Sequence, residues 1–424
     1  PIIESFSKAQ ALGTEVPKAM LVPHENLAIH MALGYYAVTG RPQVVMVHVN
    51  VGTANALNGI INASRGNIPV IFSSGRTPYS ETGDREGRRT REVHWPQEMF
   101  DQGALAREMV KWDYELKDKA VLETVVDRAI NVAMTEPRGP IYLTLPREPL
   151  AESFDSFDYT SPSRHTTPTA AWPDPNAIDR LASLIANADN PLIITQDSGS
   201  DVNAVAPLSA LSDRFAIPVI QRKPRYLCLP SDHPMHLGFD PDPYLDYSDL
   251  VIVAQCDVPW IPSVKAPGEG STVVHMGPDP IFSDYPIRGY EADLAITGSI
   301  TPSFQMLDDA LAGLEAGAKN SIETRRKRIT GLRKIMHENW AAGLEKSKSS
   351  SPMSQSWISH CISEVKDDDT ILITESAFSM PQMNLTKPGS FISGGAGGGL
   401  GYGLGMSLGA KLAAPDRMVI CTQG

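Results

Sequence analysis

Short, uninterrupted apolar runs recur along this chain, each bounded by Gly, Pro or polar residues, with helical stretches between several of them. Residues 19–22, 44–48, 69–73 and 141–145 make a first set. Residues 191–195, 217–220, 250–253, 272–276 and 294–297 make a second, and 370–374 with 418–422 a third. A run without polar alternation has no face to offer water, so each predicts a strand covered on both sides, as in a parallel sheet between helices. The expected architecture is α/β, with three doubly wound parallel-sheet domains at residues 1–155, 176–315 and 353–424, the last incomplete. Between the first two, residues 154–176 turn to Ser, Thr, Pro and Asp and read as a linker. Residues 316–350 read as partly helical and highly charged, with Arg325, Arg326, Lys327 and Arg328 on a solvated face.

A chain of 424 residues is too long for one ordinary core. Its 37 basic and 49 acidic residues leave a net charge of −12, which argues against a nucleic-acid surface and for small-molecule work. Cys228, Cys256, Cys361 and Cys421 lie far apart and form no CxxC pair, so neither a zinc ribbon nor a disulfide framework is expected, and a reducing cytoplasm fits best. Residues 388–410 are uncharged and long enough to consider as a membrane span, yet their glycines and serines outnumber their large aliphatics, so no membrane segment is expected. The chain begins with Pro1 rather than Met, which leaves a targeting segment open.

Two places concentrate the chemistry. The run at 19–22 leads through His24 into Glu25 and a helix closing on Gly40, and the run at 44–48 ends on His48 before Gly52, Thr53 and Asn55. A carboxylate and an imidazole are thereby expected at one sheet edge, at the carboxyl ends of parallel strands where ligands bind. The second place is the glycine run at 394–405, from which Gly401, Gly405 and Gly409 recur every four residues and leave one helix face bare. No register of it fits GxGxxG, and no GK pair occurs in the chain, so neither a dinucleotide fingerprint nor a P-loop is present. Residues 76–97 read as a long loop in which Arg76, Arg85, Arg88, Arg89 and Arg91 pair with Asp84, Glu86 and Glu92, or else attract an anionic substrate.

Glu25, Ala28, Met31, Ala32, Gly34 and Tyr35, followed by Gly52, Thr53 and Asn55, resemble the pyrimidine-binding domain of thiamine-diphosphate enzymes of the acetolactate synthase and benzoylformate decarboxylase type. The second set of strands resembles that family's central domain, and Gly399, Leu400, Gly401, Tyr402, Gly403 and Leu404 resemble a segment of its diphosphate-binding domain. The resemblance implies decarboxylation or carboligation of a 2-oxo acid, or action on an acyl-CoA, through an enamine. Glu25 would activate the cofactor by hydrogen-bonding its aminopyrimidine ring, and Leu400 would wedge between the two cofactor rings. His48 lies where benzoylformate decarboxylases use a histidine in proton transfer, and acetolactate synthases carry a different turn there. Gln97 resembles a glutamine that reaches the site from the long loop. Gly52, Asn55, Gly399 and Gly401 would complete the cofactor cradle.

In the family the strand at 418–422 runs into a Gly-Asp-Gly segment whose aspartate, with an asparagine, holds Mg2+. No such ligands occur here, so no metal ligand is assigned, and the chain reads as part of a longer enzyme whose metal site lies beyond Gly424. Relatives bind FAD, ADP or nothing in the central domain; Arg222, Lys223 and Arg225 are the residues that could meet phosphates, and no nucleotide is assigned. A homodimer or homotetramer is implied, with Glu25 of one subunit facing Leu400 of another. Two other readings stand beside this one: a non-catalytic homologue with an assembly or regulatory role, and a flavin or nicotinamide oxidoreductase built on the central sheet.

Overall fold

Three parallel sheets form, and most of their strands are the apolar runs. The computed structural model describes residues 2–153, 155–156, 166–376 and 378–424. Residues 154 and 157–165 of the expected linker lie outside the described residues. The chain divides into two units, residues 1–168 with 394–415, and residues 169–393 with 416–424.

The first unit contains α1 (Ile2–Ala11), α2 (Glu25–Thr39), β1 (Gln43–Val47), α3 (Val49–Arg65), β2 (Val70–Arg76), β3 (Asp113–Glu115), α4 (Leu122–Met134), β4 (Ile141–Pro146) and α5 (Arg147–Ala151). Its sheet has the order β1-β2-β4-β3, all parallel, with Val44 opposite Ile71 and Ile71 opposite Ile141. Ile71, Leu116, Val125, Ala129, Ala133, Ile141 and Leu143 pack on one side. The Phe72 ring stacks on Tyr142 with centroids 4.9 Å apart. β3 has the sequence Asp-Tyr-Glu and carries no apolar run, so its pairing to β4 supplies what its composition does not announce.

One expected strand is absent. Residues 19–22 form no ladder with β1, which stays an edge strand, and Leu21 is 98% exposed. An apolar run becomes a strand only where a neighbour accepts its backbone hydrogen bonds, and here none does. Glu25 is therefore placed by the start of α2 rather than by a strand end.

The second unit contains α6 (Pro175–Asn187), β5 (Pro191–Thr195), α7 (Val205–Phe215), β6 (Val219–Gln221), α8 (Asp242–Leu245), β7 (Leu250–Ala254), β8 (Thr272–Gly277), β9 (Leu294–Thr297), α9 (Ile300–Ala312), α10 (Glu315–Ser347), α11 (Gln355–Val365), β10 (Ile371–Thr374), β11 (Phe391–Ile392) and β12 (Val419–Thr422). Five strands make a parallel sheet ordered β6-β5-β7-β8-β9, and three make a smaller one ordered β11-β10-β12. The last helix, α12 (Tyr402–Ala413), belongs to the first unit.

The charged segment at 316–350 is α10, but Arg325 is not on a solvated face: it is 1% exposed. Its guanidinium donates to the carbonyls of Ile185 at 2.8 Å, Phe215 at 3.2 Å and Ala188. These are the last carbonyls of α6 and α7, which lack partners within their own helices and favour a cation. Arg326, by contrast, pairs at the surface with Asp213. Nothing in an Arg-Arg-Lys-Arg run marks which member turns inward.

His236 carries a pH-dependent contribution to stability. It is fully buried, packs edge-on against Phe239 at 5.1 Å, and neither ring nitrogen has a hydrogen-bond partner. Burial, then Arg333, His337 and His233, push it from its ordinary value down to about 3. The unfolded chain takes up this proton first, so the contribution is intact above about pH 6.5 and is lost as pH falls toward 3. Urea titrations are expected to show stability falling with a slope of up to about 1.4 kcal/mol per pH unit from this residue. His236→Leu should flatten that limb by one proton, and an unchanged slope would refute the assignment.

Candidate functional site

The start of α2 is built by two adjacent polar residues. His24 is the N-cap, its Nδ1 accepting from the Asn26 amide at 3.1 Å. Glu25 follows as the first helical residue, half-buried. Backbone N–H donation at its own turn holds the Glu25 carboxyl below the ordinary carboxylate range. Burial opposes this, while the Asn55 side chain, donating to Oε2 at 3.1 Å, and the nearby His24 and His48 reinforce it. A Cβ at position 52 would stand 3.3 Å from Glu25 Oε1 and 3.0 Å from Val47 Cβ, so Gly52 keeps room for the carboxylate.

The turn from β1 to α3 delivers His48. It occupies the N-cap position of α3, exposed and making no capping bond with its side chain. Val49 then takes φ 47°, a left-handed conformation that a β-branched residue rarely adopts and that costs about 1–3 kcal/mol. Burial and a polar network hold it there. Thr53 Oγ1 donates to the Val49 carbonyl at 2.7 Å and meets the Tyr142 hydroxyl at 2.7 Å, which meets Ser74 Oγ at 2.6 Å. Gln102 Nε2 donates to Ser74 Oγ at 2.8 Å.

Gln97 reaches the same turn through its backbone: its carbonyl accepts from Asn50 Nδ2 at 3.1 Å. The loop is held by Glu98, which accepts from Arg76 at 2.9 Å, from Thr77 at 2.7 Å and from Arg89. Arg76 also pairs with Glu115 at 2.9 Å and Arg85 with Glu152 at 2.8 Å. The described arginine pairs thus run to Glu98, Glu115 and Glu152 rather than to Asp84, Glu86 and Glu92, because the loop folds back on its sheet instead of on itself. His94, whose Nδ1 accepts from the Thr90 amide at 3.2 Å, is pushed below its ordinary value by burial and by Arg147, Arg91 and Arg89.

The glycine run lies on the other end of α3. Asn58 Nδ2 donates to the Leu400 carbonyl at 3.2 Å, and Asn62 Nδ2 to the Gly399 carbonyl at 2.8 Å. Asn62 Oδ1 accepts from the amides of Gly397 at 3.2 Å and Gly399 at 3.1 Å. Beyond Gly401, with φ 84°, α12 packs on α2. A Cβ at Gly34 would stand 2.0 Å from the Met406 carbonyl oxygen, and one at Gly409 2.0 Å from that of Met31. The bare helix face read from the sequence thus meets a second helix at backbone contact. Leu400 itself is 72% exposed.

Glu25, His48, Gly52, Asn55, Gln97, Gly399, Leu400 and Gly401 all fall within the first unit, around the two ends of α3. Glu25 Oε2 accepts from Asn55 and the Leu400 carbonyl from Asn58, both side chains of α3. Sequence reasoning passed over Asn58, Asn62 and His30. The available signal was a polar stripe, Asn55, Asn58 and Asn62, at helical spacing on α3. In the second unit Arg225 is buried and pairs with Asp197 and, at 3.1 Å, with Asp257. Its charge is therefore neutralised within the fold rather than presented to a phosphate. Among the described residues no group of three His, Cys, Asp or Glu could hold a metal ion, and no helix is long and apolar enough to cross a membrane.

Comparison with known proteins finds two family matches: residues 1–105 to the thiamine pyrophosphate enzyme N-terminal TPP binding domain, and residues 374–424 to its C-terminal TPP binding domain. The chain is similar to a benzoylformate decarboxylase of Pseudomonas aeruginosa, 25% identical over 55% of this chain and 44% of the relative. It is similar to an acetolactate synthase of Arthrospira platensis, 27% identical over 56% of this chain and 39% of the relative. The chain thus aligns with less than half the length of either. Its fold is that of benzoylformate decarboxylase from Polynucleobacter necessarius, with a TM-score of 0.72 and 20% identity over 97% of this chain and 75% of the other.

Proposed function

The chain belongs to the family of thiamine pyrophosphate enzymes, and from that premise we propose that the full-length protein decarboxylates a 2-oxo acid, with or without carboligation to a second carbonyl compound. The observation that carries this reading is the Glu25 carboxyl, held below its ordinary range and bonded to Asn55 on the same helix whose Asn58 and Asn62 bond the glycine run.

These residues fit the ring end of thiamine diphosphate. Glu25 offers a carboxylate acceptor to an aminopyrimidine, Leu400 has uncommitted apolar surface, and Gly398, with no atom within 4 Å of where its Cβ would lie, leaves backbone open to close approach. When bound, thiamine diphosphate would supply carbanion chemistry at a substrate carbonyl. In this proposal Glu25 holds a proton in common with the pyrimidine nitrogen, and His48, exposed beside it, gives or takes a proton at the substrate. Gln97 orients substrate from the loop. Mg2+ belongs to the same proposal, at the diphosphate end. So do a homodimeric or homotetrameric assembly and a cytoplasmic setting. Apolar surface for a second copy is offered by Leu404, Leu408 and Leu412 of α12, which are 54%, 43% and 45% exposed.

Carbon dioxide release by the full-length protein, with thiamine diphosphate and Mg2+, tests the reading against pyruvate, benzoylformate and oxalyl-CoA. Release from a 2-oxo acid that stops when thiamine diphosphate is omitted is the expected result. Release from none, or release that does not need the cofactor, would overturn it.

A further inference from the structure

We propose that Glu98 is a positioning residue: its carboxylate pins the loop after β2 to the sheet and, through the neighbouring Gln97 carbonyl, holds the turn that carries His48. The proposal rests on the reading that His48 moves a proton at the substrate and that Gln97 orients it.

His48 does little to fix itself. It is exposed, and its side chain makes no capping bond to α3. The backbone of the turn therefore sets where the imidazole starts from, and in that turn Val49 keeps its left-handed φ of 47°. Such a conformation persists only where its surroundings over-determine it. Burial of Val49 and two side-chain bonds do so here. Within α3, Thr53 Oγ1 donates to the Val49 carbonyl at 2.7 Å. From outside, Asn50 Nδ2 donates to the Gln97 carbonyl at 3.1 Å, a bond between residues 47 positions apart. The second anchor is only as firm as Gln97.

Little in the loop itself makes Gln97 firm. Between Thr77 and Gln97 the chain forms a single 3₁₀ turn, Glu92–His94, and the Gln97 amide donates to the Val93 carbonyl at 3.2 Å. The Gln97 carboxamide has no partner among the described residues, which leaves it for a substrate. The next residue supplies the anchor. Glu98 accepts from Arg76 at 2.9 Å and from Thr77 at 2.7 Å, both where β2 ends, and from Arg89 in the middle of the loop. The Arg89 and Arg76 side chains are only 7% and 15% exposed, so their charges need a carboxylate close by. Arg89 also donates to the Pro78 carbonyl at 2.7 Å and lies over the Trp95 ring, 5.1 Å from its centroid. One carboxylate thus gathers the start, the middle and the end of the loop. Arg76 keeps Glu115 as a second partner at 2.9 Å, and the strand ladders do not involve Glu98. Loss of Glu98 should therefore free the loop and leave the sheet intact. A displacement of about 1 Å in a reacting group can cost about 100-fold in rate.

The test uses the full-length protein with Glu98→Ala, Asn50→Ala and the two combined. Hydrogen exchange of the Arg89 and Gln97 amides, which donate to the Ser80 and Val93 carbonyls, is read first because it needs no cofactor. Their protection is expected to vanish in Glu98→Ala while circular dichroism and melting temperature stay close to the parent's. With thiamine diphosphate and Mg2+ added, Asn50→Ala should lower kcat for the 2-oxo acid about tenfold and Glu98→Ala about 30-fold. The double variant should match Glu98→Ala, because both substitutions break one link. A residue that served stability alone would lower the melting temperature, leave kcat per folded molecule intact and show no coupling to Asn50. Loss of protection, a fall in kcat above about threefold in each single variant and no more than about threefold added in the double support the proposal; any other combination overturns it. If Glu98→Ala does not fold, Glu98→Gln, which keeps an acceptor for Arg76 but sets an NH2 group against Arg89, goes through the same cycle under the same limits. A parent protein that turns over no 2-oxo acid sinks the functional reading instead, while exchange of the two amides still judges the clamp.

Discussion

Glu25→Gln is expected to lower kcat of the full-length protein by about 10³-fold or more and to leave its fold and melting temperature close to the parent's. The substitution is nearly isosteric. Its carbonyl oxygen can still accept from Asn55 Nδ2, which now meets Glu25 Oε2 at 3.1 Å, and Gly52 still leaves room beside it. What disappears is the charge. The first-turn backbone N–H groups, Asn55, His24 and His48 together outweigh burial and keep the carboxyl ionised below its ordinary range. An amide at the same place can neither carry that charge nor share a proton with a ring nitrogen. Steady-state kinetics with saturating thiamine diphosphate decide the matter, since saturation separates loss of chemistry from loss of binding. A Gln variant retaining a tenth of the parental kcat would end the role given to Glu25, and with it the distinction from a non-catalytic homologue.

Gly34→Val is expected to cost about 3 kcal/mol or more of stability and to remove activity together with it. The α2–α12 contact is made where side chains are missing. Even a Cβ at Gly34 falls 2.0 Å from a backbone oxygen of α12, and the counterpart positions are as tight, with Gly405 at 2.5 Å from His30 Cβ and Gly409 at 2.0 Å from the Met31 oxygen. Backbone atoms cannot rotate away as a side-chain tip can, so the helices must part, and packed interiors yield little. Separation also withdraws the glycine run, which enters α12 at Gly401, from Asn58 and Asn62. Urea unfolding followed at several probes is the measurement. Gly331→Ala, on the exposed face of α10 with no atom within 4 Å of the new Cβ, is the control and should stabilise by roughly 0.5–1 kcal/mol. Equal stabilities for Gly34→Val and the parent would show that the two helices do not pack as described.

Local physics made much of this legible before any coordinates. A continuous apolar run favours burial of both faces, so β1, β2, β4 and the five central strands could be read directly, with ends displaced by up to three residues, although β1, at the sheet edge, leaves Val44 71% and Met46 43% exposed. α2 was bracketed by its own chemistry, with polar His24 before it and Gly40, in the left-handed conformation at φ 68°, after it. The bare face of α12 was visible as a repeat of Gly401, Gly405 and Gly409. In each case the signal lies within a few residues of the structure it specifies.

What the fold alone decided depends on partners distant in sequence. Residues 19–22 are as apolar as a strand yet remain unpaired, because an apolar run does not name the edge that must receive it. Arg325 is buried beneath α6 and α7 while its neighbour Arg326 stays at the surface, a choice made by carbonyls more than 100 residues earlier in the chain. The site shows the same division. The chain alone determined that a first-turn glutamate, a strand-end histidine and a glycine run exist; that they share one helix was settled by Asn62 reaching Gly399 across 337 positions. Hydrophobic periodicity is a property of neighbouring residues, whereas a hydrogen bond across such a span exists only after every intervening element has packed, and that is why the first could be read from the sequence and the second could not.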